Sequence, residues 1–70
     1  MTVLRVFDDE TLADVLLHLP RHPRVVVEGA ERIEKFFPSP EKAKNFLLWA
    51  YWRFVRGGNG VIYVVDDEYA

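Results

Sequence analysis

Thr2 to Phe7 is rich in β-branched and bulky residues, with Leu4 and Val6 on one side and Val3, Arg5 and Phe7 on the other, which predicts a strand. The run stops at Asp8-Asp9, either of which can cap a helix. The period then lengthens, with Leu12, Val15, Leu16 and Leu19 at i, i+3, i+4 and i+7 until Pro20 ends the run. After the Arg21-His22-Pro23 turn, the unbroken Val25-Val26-Val27 run inside Arg24 to Glu28 predicts a strand buried on both faces. Strand, helix and strand in that order make a βαβ unit.

From Gly29 to Pro40 the pattern is ambiguous: Ile33, Phe36 and Phe37 fit either a short helix or a hairpin closing back on Val25 to Val27. The short helix is the reading adopted. Ser39 as N-cap with Pro40 at the first helical position opens a long helix over Pro40 to Arg56. Gly57-Gly58-Asn59-Gly60 supplies left-handed positions that stop it. Val61 to Val65 predicts the last strand, and Asp66-Asp67-Glu68-Tyr69-Ala70 a solvated tail. The expected architecture is α/β: one domain over residues 1–70, a small β-α-β-(α)-α-β two-layer arrangement with helices on a three-stranded sheet.

The long helix holds more apolar surface than such a domain can cover. At about 100° per residue, Ala43, Phe46, Leu47, Ala50 and Phe54 gather on one core face. Leu48, Tyr51, Trp52 and Val55 form a second stripe facing away from it, which the Gly29 to Phe37 segment, a homodimer contact or a different protein partner would cover, the homodimer being the favoured reading. Aromatic side chains bury about 150–250 Å² each, so the stripe exposes roughly 400 Å² per chain. Pairing two copies would remove about 800 Å², on the order of 20 kcal/mol gross. A third sector sets Trp49 among Lys42, Asn45, Arg53 and Arg56. There the tryptophan is either shielded by a stacked guanidinium, a hot spot for an acidic peptide, or a stacking platform for single-stranded nucleic acid.

Composition narrows the alternatives. Half of the 70 residues are hydrophobic and 29% are charged, a globular balance. A domain this small gains little net stability from one core, and with no cysteine it has neither disulfides nor thiolate metal sites, so association is the aid that remains. The lack of cysteine fits a reducing compartment, and neither a secretory signal pattern nor a long apolar run is present, so a cytoplasmic location is expected. The net charge of −2 is unevenly spread: residues 1–41 carry −3, residues 42–60 carry +4 and residues 61–70 carry −3. The long helix is therefore basic on an acidic body, suited to an acidic partner, nucleic acid or a neighbouring acidic subunit face. Arginine outnumbers lysine six to three and glutamine is absent, which leans towards a thermophilic source.

Catalytic signatures are missing. Asp8-Asp9 and Asp66-Asp67 follow the first and last strands and would converge if those strands ran side by side in parallel, but capping acids explain them better than a cation site. His18 and His22 lack metal-ligand spacing, and His18 fits a helix carboxyl end. Ser39 serves as a cap, and the glycine-rich run follows a helix instead of opening one, so it makes no phosphate cradle. No enzyme activity, cofactor or metal is expected.

Several segments together resemble the core domain of the SepF (YlmF-like) cell-division proteins. They are Val6-Phe7-Asp8-Asp9-Glu10-Thr11-Leu12-Ala13-Asp14, the strand Arg24-Val25-Val26-Val27, the helix start Ser39-Pro40-Glu41-Lys42-Ala43, and the glycine-rich turn into Val61-Ile62-Tyr63-Val64. The resemblance covers about two thirds of the chain and implies a dimeric cytoplasmic scaffold that binds the disordered tail of a tubulin-like division protein. Residues 29–38 depart from the pattern as an insertion. The function expected is a non-catalytic interaction module that pairs with itself through Leu48, Tyr51, Trp52 and Val55. The alternative is a small nucleic-acid-binding or regulatory protein using Trp49, Arg53 and Arg56.

Overall fold

The computed structural model describes residues 2–66. Its elements are β1 (Thr2–Val6), α1 (Asp9–Leu17), β2 (Arg24–Gly29), β3 (Arg32–Phe36), α2 (Pro40–Ala50) continued by a π-helical turn (Tyr51–Val55), and β4 (Gly60–Asp66). The caps follow from local chemistry. Asp8 Oδ1 accepts the Thr11 amide at 2.8 Å while Thr11 Oγ1 accepts the Asp8 amide at 3.0 Å, a reciprocal pair that satisfies amides the helix leaves open. Ser39 caps α2 through the Lys42 amide at 3.4 Å, with Pro40 next in line. The His18 ring lies 2.8 Å from the Asp14 carbonyl at the end of α1, a structural use of that histidine.

Two expectations need correction. The sheet has four strands, not three, in the order β1-β4-β2-β3, with every neighbouring pair antiparallel. The extra strand is the segment read as a short helix: β3 folds back on β2 as a hairpin, pairing Glu28 with Arg32 and Arg24 with Phe36. Cross-strand charge decides this. Arg24 meets Glu34 at 2.6 Å, Arg32 meets Glu28 at 3.3 Å, and a looser Arg32–Glu34 contact spans 3.7 Å, all on one face. Opposite charges on paired strands favour this register, and Ile33 on the other face reaches the core.

β4 also lies between β1 and β2, splitting the βαβ unit. It runs antiparallel to β1 with Thr2 opposite Asp66, so Asp66 sits at the far end of β1 from Asp8-Asp9. The two acidic pairs do not meet at one sheet edge as far as Asp66 is concerned, and Asp67 lies outside the described residues.

Both helices pack on the same sheet face. Val6, Val25, Val27, Ile62 and Val64 project from it into one core with Val15, Ala43, Leu47 and Ala50. Ala43 and Ala50 are fully covered, as their small size at the helix–sheet contact requires. Gly29 of β2 faces Gly60 of β4, and a Cβ on Gly60 would stand 2.6 Å from the Glu28 carbonyl oxygen. Backbone cannot yield as a side chain does. Gly60→Ala should therefore cost about 1–3 kcal/mol in urea denaturation; an unchanged midpoint would show that the strands can part at this end without loss.

Candidate functional site

The wide turn after α2 sorts the apolar side chains of the long helix. The Arg56 amide donates to the Tyr51 carbonyl at 2.8 Å, an i to i−5 bond that admits one extra residue into the turn. Each residue there advances by less than the α-helical angle, so Val55 swings towards the sheet and Phe54 moves to the flank. The turn ends as expected at the glycines: Gly58 has φ of 77°, its amide donates to Val55 at 3.0 Å, and the Asn59 amide donates to Phe54 at 2.9 Å.

This overturns part of the expected stripe. Tyr51 is 3% exposed and Val55 8% exposed, and both belong to the monomer's core. Leu48 is half-buried, whereas Trp52 is 62% exposed and Trp49 51% exposed. Arg53 and Arg56 face solvent. Phe46 and Phe54, assigned by spacing to the core face, are only half-buried, because the flank of the helix carries them.

Two surfaces result, on different sides of the helix. The first surrounds an open recess of ≈ 310 Å³ lined by Phe7, Asp8, Asp9, Tyr51, Val55 and Arg56. The Tyr51 hydroxyl donates to Asp9 Oδ1, and Arg56 Nη1 stands 3.8 Å from the same oxygen. The Arg56 guanidinium covers the Trp52 ring at 5.0 Å, and Tyr51 meets that ring edge-on at 5.8 Å. Phe7, 53% exposed, also lines the recess. Its part in a site was not assigned from sequence, which set it on the strand face with Val3 and Arg5, opposite Leu4 and Val6.

The second surface is an aromatic ladder along the side of α2 nearest β3. Ring centroids lie 5.4 Å apart for Phe37 and Phe46, 5.5 Å for Phe46 and Trp49, and 5.8 Å for Trp49 and Phe54. Lys35 from β3 covers Phe46 at 5.6 Å and Arg53 covers Phe54 at 5.8 Å. Trp49 is thus shielded on two sides by rings, not by a guanidinium. Among the described residues no three His, Asp or Glu side chains gather to hold a metal ion, and no helix there is long and apolar enough to cross a membrane.

The recess has one titrating consequence. The hydrogen bond to the Asp9 carboxylate, followed by burial and by the charge of Asp9, holds the Tyr51 phenol above its ordinary value of 10.0, with Arg56 opposing. The folded state therefore keeps this proton more tightly than the unfolded chain, so its contribution to stability is complete below pH 10 and is lost as pH rises through the raised value. Wild-type protein should lose urea stability above that pH more steeply than Tyr51→Phe. Parallel curves for the two proteins would remove the Tyr51–Asp9 bond from the account.

Comparison of the chain with protein-family models, with curated proteins and with solved structures finds no match.

Proposed function

We propose that the chain is a small non-catalytic protein–protein interaction module that pairs with a second copy of itself through the surface around Leu48, Trp52 and Phe7. The observation that carries this reading is the exposure of Trp52 and Phe7, 62% and 53%: Phe7 lines the recess, and Trp52 stands beside it against the Arg56 guanidinium and the Tyr51 ring. The rim also carries charges of both signs, Asp8 and Asp9 against Arg56. A two-fold axis would set the guanidinium of one copy beside the carboxylates of the other, so the patch is complementary to itself. A dimeric scaffold is also what the SepF resemblance implies.

With Tyr51 and Val55 in the core, the area available is smaller than the helix stripe alone suggested. Partly exposed tryptophan and phenylalanine with the edge of Leu48 offer roughly 300 Å² per copy. Pairing removes about 600 Å² in total, on the order of 15 kcal/mol gross. Association costs about 4–15 kcal/mol, so the surplus is small and the dimer should be reversible.

Light scattering or sedimentation should accordingly show a rise from one to two chain masses across the micromolar range. Trp52→Glu should hold the protein at one chain mass with its circular dichroism unchanged. A wild-type monomer at several hundred micromolar, or a Trp52→Glu dimer as strong as wild type, would refute the reading.

A further inference from the structure

The aromatic ladder lies beside a sheet edge, and the two together have the makings of a peptide groove. β3 ends the strand order β1-β4-β2-β3, so among the described residues one side of its backbone pairs with β2 while the other carries no strand. Its residues divide by face. Arg32 and Glu34 turn to the side away from the helices, where Glu28, Arg24 and each other engage them. Lys35 turns to the helix side and covers Phe46. On α2 and its wide turn, Lys42, Phe46, Trp49 and Arg53 follow at i, i+4, i+7 and i+11, a single flank in which cations bracket two rings. Among the described residues none of Lys35, Lys42 and Arg53 makes an ion pair. The nearest helix acid, Glu41, is turned about 100° from Lys42.

We infer that this groove binds an acidic peptide in extended conformation, which adds to β3 as a fifth strand and lays its side chains against Lys35, Phe46, Trp49, Lys42 and Arg53. Each part of the surface asks for that occupant. Unpaired edge amides and carbonyls bind an extended backbone. Three cations without a carboxylate among them select acidic side chains, and the half-exposed Trp49 offers the apolar contact that anchors such complexes. Nucleic acid would use the cations and rings but not the strand edge, and the net charge of −2 works against a polyanion that has to approach the whole molecule. The opposite sheet edge, β1, has one charged residue and no cation–aromatic flank facing an adjacent helix, so the inference is specific to β3.

The surface is separate from the one proposed for self-association, which makes the two independent. A fluorescein-labelled eight-residue peptide of alternating Glu and Leu is the probe, with its Lys-Leu counterpart and an oligothymidylate as comparisons. The Glu-Leu peptide should bind saturably and at least tenfold tighter than the Lys-Leu peptide, and added salt should weaken it. Amide exchange over residues 32–36 should slow in the complex. The exposed double substitution Lys42→Glu with Arg53→Glu should weaken binding at least tenfold, while Trp52→Glu should leave it unchanged. The comparison of the two peptides on wild-type protein requires no variant to fold. Equal binding of the Lys-Leu peptide, no saturation at about 1 mM, which corresponds to roughly 4 kcal/mol, or binding that leaves exchange over residues 32–36 unaltered would overturn the inference. Tighter binding of the oligothymidylate would replace it with the nucleic-acid reading.

Discussion

The wide turn at Tyr51–Val55 governs how this small domain divides its apolar side chains between inside and outside. A two-layer fold with two helices on one sheet face has a single core, and α2 brings more large side chains to it than it can take. Had the helix continued at the regular α-helical angle, Phe54 would point at the sheet and Val55 would drift to the edge of the core face. The extra residue in the turn reverses this: the smaller Val55 packs against the sheet and Phe54 joins the flank beside Trp49. Tyr51 enters the core with its hydroxyl anchored on Asp9, which ties the end of the long helix to the start of α1. Trp49 and Trp52 are left outside because the sealed positions are already filled.

From this division follow two surfaces of different character. Around Trp52 the polar groups are balanced, with a guanidinium stacked on the ring and a carboxylate within reach of it, as suits a patch that meets its own copy. Around Trp49 the charge is all positive and the neighbour is a strand edge, as suits a partner of opposite charge. The basic helix seen in the sequence thus contributes to both, but through different residues. The acidic remainder of the chain is used mostly in structure: Asp8 caps α1, Asp9 holds Tyr51, and Glu28 and Glu34 pair the hairpin strands. The Thr11 amide, then its hydroxyl, hold the Asp8 carboxyl below its ordinary value, as expected of a cap that acts in its charged form.

Local signals were legible and long-range ones were not. Period and caps place β1, α1, β2, α2 and β4 close to where they lie, since Asp8, Ser39-Pro40 and Gly58 each satisfy or terminate backbone groups within a few residues. β3 escaped because its turn through Ala30 and Glu31 has no Asn-Gly type signature, and because the partners that hold it, Arg24 and Glu28, lie on another strand. The insertion of β4 between β1 and β2 has no local mark at all. Within the candidate surfaces, Trp49, Trp52, Arg53 and Arg56 are exposed as their positions suggested, but Val55 was misplaced by a wheel that assumed one angle throughout the helix, and Tyr51, one turn on from buried Leu47, belonged beside the core on the regular wheel. Lys35, Phe37 and Phe7 could not be joined to those surfaces until the hairpin and the recess were known.

The wide turn seals Val55 while leaving Trp52 outside, and the cysteine-free sequence allows this to be measured cleanly. Single cysteines placed in turn at positions 52, 54 and 55 can be labelled with a thiol reagent under native conditions, with rates referred to the unfolded chain. The account predicts near-unfolded rates at 52, partial protection at 54 and strong protection at 55. Strong protection at 54 with free labelling at 55 would mean a regular α-helix through this segment, and would contradict it.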